Sequence, residues 1–84
     1  MTAAEKLCAA GYDDVVIFED YSYDDALVGV TEGGRAVYDF DKMVDWLMEK
    51  EGWSADEAME WIEINTIGAL PNAGEYGPVI MYSL

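Results

Sequence analysis

The sequence predicts an α+β fold. A small, mainly antiparallel sheet, made of a β-hairpin with flanking strands, is covered by an αα-hairpin in the order α-β-β-β-α-α-β. Three observations lead there. ALVGVTE and RAVYDF flank Gly33-Gly34, a dipeptide suited to the positive φ angles of a tight hairpin. KMVDWLMEKE and ADEAMEWIE, both with helical apolar spacing, are separated by only a few residues around Gly52. VIMY after Pro78 supplies a last strand that joins the sheet after the helices have crossed back.

In chain order, AAEKLCAA at 3–10 predicts a short helix closed by Gly11, which has no Cβ to hinder a C-terminal cap. VVIF at 15–18 is β-branched, aromatic and bounded by acids, so it reads as a strand, and YSYDD at 21–25 as a loop. A two-residue Gly-Gly turn sets Glu32 against Arg35, Val30 against Val37 and Leu27 against Phe40, with Gly29 and Tyr38 between them. Asp41 is the expected N-cap of the next helix, whose apolar stripe is Val44, Leu47 and Met48, widened by Met43 and Trp46. Gly52 ends it. Ser54 and Glu57 then have the spacing of a capping box, with Trp53 and Ala58 placed as a hydrophobic staple. Ala55, Ala58, Met59 and Ile62 line one face of that helix, and Asp56, Glu60 and Glu63 another. It is expected to fray near Gly68, with Asn65 as a left-handed cap and the PNAG turn beyond.

Composition narrows the function by exclusion. Eighty-four residues predict one domain, 1–84, and a hydrophobic fraction of 52% with three Trp argues against disorder. No apolar run approaches the roughly 20 residues of a membrane span, and the start lacks the pattern of a secretory signal, so a cytoplasmic protein is expected. Cys8 has no partner for an internal disulfide and reads as a buried or half-buried small hydrophobe. The absence of His removes Ser–His and Cys–His nucleophile pairs, His-containing zinc sites and imidazole acid–base chemistry. The acid-rich stretch 20–32 fails the calcium-loop pattern, with Asp25 at the Gly place and Thr31 at the bidentate Glu place. Asp13-Asp14 and Glu19-Asp20 read as solvated acids. No Gly-rich phosphate loop appears. The expectation is no enzyme, no metal and no cofactor.

Charge carries the positive signal. Eighteen acids against four bases give −14, which repels nucleic acid and anionic membranes and attracts basic protein surfaces. The candidate partner-binding residues are Asp45, Glu49, Asp56, Glu57, Glu60 and Glu63 on the two helices, with Asp24 and Asp25 as a second patch. Like charges three or four apart on a helix cost a few tenths of a kcal/mol each. Glu60 and Glu63 therefore look less like structure than the first-turn acids do. Carboxylates about 5–6 Å apart also approximate the phosphate spacing of DNA, roughly 3.4 Å of axis per strand phosphate. Trp46, Trp53 and Trp61 read as core, while tyrosines beside acids, as in YSYDD, suit protein contact.

Two stretches, YDFDKM at Tyr38–Met43 and WIEINTIGALP at Trp61–Pro71, carry a resemblance that runs from about Gly29 to Tyr82. There the chain resembles a family of small acidic, uncharacterised proteins of Gram-positive bacteria and their phages and mobile elements. In that family's pattern an Arg commonly stands where this chain has Gly68. The resemblance implies no established activity, but its phage context favours inhibitors of host defence, including anti-CRISPR and anti-restriction DNA mimics. The expected function is thus an acidic, non-enzymatic inhibitor that docks on a nuclease or other nucleic-acid-binding protein, without contacting nucleic acid itself. The alternative is a small homo-oligomeric or scaffold module, a homodimer included, whose exposed aromatics make the contact.

Overall fold

The computed structural model describes residues 1–18 and 21–84. Thr2 opens α1 (Ala3–Ala9) through a reciprocal capping box: its hydroxyl accepts from the Glu5 amide at 3.1 Å, and the Glu5 carboxylate from the Thr2 amide at 3.0 Å. The hydrogen bonds from Thr2, backbone first, hold the Glu5 carboxyl below its ordinary pKa. Gly11, at φ +89°, lets Tyr12 N–H reach the Leu7 carbonyl at 2.8 Å and Gly11 N–H that of Cys8 at 3.1 Å, a Schellman ending. Cys8 is exposed, contrary to expectation, because the buried stripe of α1 runs through Ala3 and Leu7 one position away.

The expected strand at 15–18 does not form. Val15, Ile17 and Phe18 are half-buried against the core, but their backbone joins no ladder. The observed order is therefore α-β-β-α-α-β: α1, β1 (Leu27–Val30), β2 (Ala36–Asp39), α2 (Phe40–Glu51), α3 (Ala55–Trp61) and β3 (Val79–Met81). The α+β class holds, with a mixed sheet in the order β1-β2-β3. Central β2 runs antiparallel to β1 and parallel to β3, since α2 and α3 return the chain to the end of the sheet where β2 began.

The hairpin register differs from the expected one. Val30 pairs with Ala36, Gly29 with Val37 and Leu27 with Tyr38. Thr31 sets this. Its amide donates to the Arg35 carbonyl at 2.8 Å, its carbonyl accepts from Gly34 N–H at 2.9 Å, and its hydroxyl accepts from Arg35 N–H at 3.0 Å. The loop is thus Glu32-Gly33-Gly34, with only Gly34 left-handed, and a bulge between Leu27 and Gly29 shifts the pairing beyond it. Arg35 does not pair with Glu32; its Nε donates to the Gly77 carbonyl at 2.8 Å and ties the hairpin to the approach to β3.

Asp39, not Asp41, caps α2. One carboxylate oxygen accepts from Lys42 N–H at 3.1 Å and the other from the Ser83 hydroxyl at 2.8 Å, so one side chain joins the start of the helix to the C-terminal tail. The Ser83 hydroxyl first, then the Lys42 amide, hold its carboxyl below the ordinary aspartate range. Gly52, at φ +73°, ends α2 as expected. Ser54 and Glu57 form the expected capping box of α3. The helix then widens into a π-helical turn, Ile62–Ile67, closed by Gly68 N–H on the Glu63 carbonyl at 3.1 Å. No left-handed Asn65 ends it. A Cβ at Gly68 would sit 2.2 Å from the Ile64 carbonyl oxygen, so this turn requires glycine there.

The core lies on the sheet face that carries Ala36 and Tyr38. Leu27, Phe40, Met43, Val44 and Leu47 pack there with Ala58 from α3 and Ile62 from the π-helical turn after it. The two tyrosines of YSYDD belong to this core rather than to the surface. Tyr23 is 1% exposed and adopts a left-handed φ of +47°, and Tyr21 is half-buried. The Tyr23 ring meets Phe18, Tyr38 and Trp46 at centroid distances of 5.7, 6.3 and 5.4 Å, and its hydroxyl shares a 2.7 Å hydrogen bond with the buried Thr66 hydroxyl. No helix among the described residues is long and apolar enough to cross a membrane.

Among the described residues the buried Tyr38 hydroxyl makes no hydrogen bond of good geometry; burial pushes its pKa up to about 12, and a poorly aligned approach to the Phe18 backbone acts weakly the other way. Tyr38→Phe is therefore expected to leave stability unchanged or raise it by about 1 kcal/mol, measured as the urea midpoint. A loss of about 1 kcal/mol or more would show that the hydroxyl is satisfied. For Asp39, a lowered folded-state pKa means stability that is present at neutral pH and lost as pH falls through that pKa. Asn mimics the protonated acid. The stability gap between the native chain and Asp39→Asn is expected to be widest at neutral pH and to close below about pH 4; a gap constant across this range contradicts the assignment.

Candidate functional site

The α3 arm is built from its own residues. The Ser54 hydroxyl accepts from Glu57 N–H at 3.2 Å, and Glu57 Oε1 accepts from the Ser54 amide and hydroxyl at 3.3 and 3.2 Å. Residues 58, 62 and 66 form the inward stripe: Ala58, Ile62 and Thr66 are all buried. The steps of four on the neighbouring strip, Trp53, Glu57, Trp61 and Asn65, and the pair Glu60 and Ile64 line an open groove of about 380 Å³. Ile64 stands 65% exposed at its edge, an unusual position for a large aliphatic side chain in a chain that buries its other isoleucines at least partly.

The aromatic wall of this groove is fixed from behind. Trp53 and Trp61 lie 6.2 Å apart at 38°, and Tyr21 packs edge-on against Trp61 at 4.9 Å. Tyr21 is itself held by its hydroxyl, which donates to Glu51 at 2.6 Å.

The expected site residues separate into three groups. Glu57 and Glu60 are brought together in the groove, and Asp56 and Glu63 are exposed on the same helix outside its lining. Asp45 and Glu49 are exposed on α2, where Lys50 lies over the Trp46 ring at 5.2 Å and partly offsets them. Asp24 is taken up by the fold: its carboxylate accepts from the Ala3 amide at 2.7 Å, and its carbonyl accepts from the Lys6 ammonium. Asp25 is exposed beside it. The described contacts of Lys6, Arg35 and Lys50 go to carbonyls or a ring, not to carboxylates. From residue 51 to 84 the sequence has six acids and no Lys or Arg, so the acidity of α3 is unrelieved along its own segment.

Among the described residues no three His, Cys, Asp or Glu side chains are grouped to hold a metal ion. Asp13-Asp14 is exposed, and Glu19-Asp20 lies outside the described residues, as does the first position of the calcium-loop pattern. Trp53, Trp61, Ile64 and Asn65 are the groove residues that charge counting misses. For Trp53, Trp61 and Asn65 the signal is the four-residue step 53-57-61-65, which sets aromatics and acids on one strip instead of on opposite faces, and for Ile64 it is the same step from Glu60. No family model matches the chain, and neither does any curated protein or solved structure.

Proposed function

We propose that the protein is a non-enzymatic acidic binding protein that docks through α3 on a basic surface of a nucleic-acid-handling protein. The observation that carries this reading is the exposed row Asp56, Glu57, Glu60 and Glu63 on one capped helix, in a segment without a single cation. Such a row is electrostatically costly for an isolated helix and complementary to a groove that binds phosphates. Asp45 and Glu49 extend the negative potential on α2, and Asp25 adds to it more weakly. The role is that of an inhibitor occupying the partner's nucleic-acid site, as a DNA mimic of anti-CRISPR or anti-restriction type does. The resemblance to small phage and mobile-element proteins points the same way. Such a partner works in the cytoplasm, the location the sequence predicts. The homodimeric alternative would use the exposed Met81, at the end of edge strand β3, and Tyr82 after it, and a net charge of −14 opposes it.

The test is capture of basic nucleic-acid-binding proteins from a bacterial lysate, followed by affinity measurement against salt and against competing DNA. Affinity is expected to fall steeply as salt rises, DNA is expected to compete, and Glu60→Lys with Glu63→Lys is expected to weaken binding by about tenfold or more. Binding that ignores salt and survives the double charge reversal sinks the proposal. A stable, salt-insensitive dimer in light scattering would favour the homodimer instead.

A further inference from the structure

The groove on α3 has a character that general acidity does not explain. Its wall is the rings of Trp53 and Trp61 with the Ile64 side chain, and its rim carries Glu57, Glu60 and Asn65. The rim offers acceptors. Ser54 engages Glu57 Oε1 and so orients the carboxylate, leaving its second oxygen for a ligand. The Asn65 amide nitrogen donates to the Trp61 carbonyl at 3.2 Å, which leaves its oxygen as the group that can accept. Glu60 is exposed and forms none of the hydrogen bonds described above. No basic residue lines the groove.

An occupant must therefore be cationic, rich in N–H donors and able to lie against an indole face. The geometry points to a guanidinium site: the groove takes an arginine side chain of the basic partner, stacked on the tryptophan wall and bonded to the Glu57 and Glu60 carboxylates. Arginine fits better than lysine. Its planar cation stacks on aromatic faces and spans two acceptors, whereas an ammonium is a strongly hydrated point charge that an open groove does not dehydrate. The wall is also braced before binding, since Tyr21 packs on Trp61 and its hydroxyl donates to Glu51, which lowers the ordering a ligand must impose. This inference deepens the proposed docking role and rests on it, and the test below separates the two.

The full chain is titrated with acetylated, amidated decapeptides of Gly alternating with either Arg or Lys, and the indole N–H signals of Trp53 and Trp61 are followed by NMR. The Arg peptide is expected to bind roughly threefold or more tightly than the Lys peptide, with both indole signals shifting. Glu60→Gln is expected to abolish that preference. Glu63→Gln removes the same charge from the same helix outside the groove, and is expected to weaken both peptides alike and keep the preference. An Arg-to-Lys ratio near one in the native chain, or a preference unchanged in Glu60→Gln, overturns the guanidinium site while the acidic face stands. If neither peptide binds at low salt, both readings fall.

Discussion

The fold depends on one buried side chain in an unfavourable backbone conformation. Tyr23 is the only non-glycine among the described residues with positive φ, a state that costs an L-residue about 1–2 kcal/mol. Its surroundings offset that cost. The ring is packed by Phe18, Tyr38 and Trp46, pairs each worth about 0.5–1.5 kcal/mol beyond area burial, and the hydroxyl is bonded to Thr66. One residue thus joins the loop before the hairpin, the central strand, α2 and the π-helical turn that follows α3.

The Thr66 contact reaches the surface through helix geometry. Thr66 is buried within a π-helical turn whose neighbours Ile64 and Asn65 are exposed. Gly68 permits that turn, because a side chain there would collide with the Ile64 carbonyl. Any side chain at this position would require the turn to rewind, and the Ile64 and Asn65 rim of the groove to move with it.

Legibility in the sequence followed the range of the forces involved. Local hydrogen bonding was readable: the Ser54–Glu57 capping box, the Gly11 and Gly52 helix ends, and the α2 stripe through Val44 and Leu47 all stand where the residues imply. Non-local choices were not. The VVIF run looks like a strand, but Val15, Ile17 and Phe18 are used in packing without a ladder. The hairpin register turned on whether the Thr31 hydroxyl or the Gly-Gly pair closed the loop, and the Thr31 hydroxyl takes the Arg35 amide. Asp39 displaced Asp41 as cap because Ser83, forty-four residues away, holds its other oxygen. At the candidate site the acids of α3 were legible by charge. The tryptophan wall was not, because a half-buried indole serves core and surface at once and periodicity assigns it to the core alone.

What α3 presents outward is therefore set by how it is held inward, and the Tyr23–Thr66 hydrogen bond is the link between the two. A double-mutant cycle in urea with Tyr23→Phe, Thr66→Val and the pair tests that link directly. A coupling energy of about 1 kcal/mol or more is expected, accompanied by shifts in the Trp61 indole signal in each single variant. Additive effects, with coupling near zero and an unmoved indole, would contradict the account.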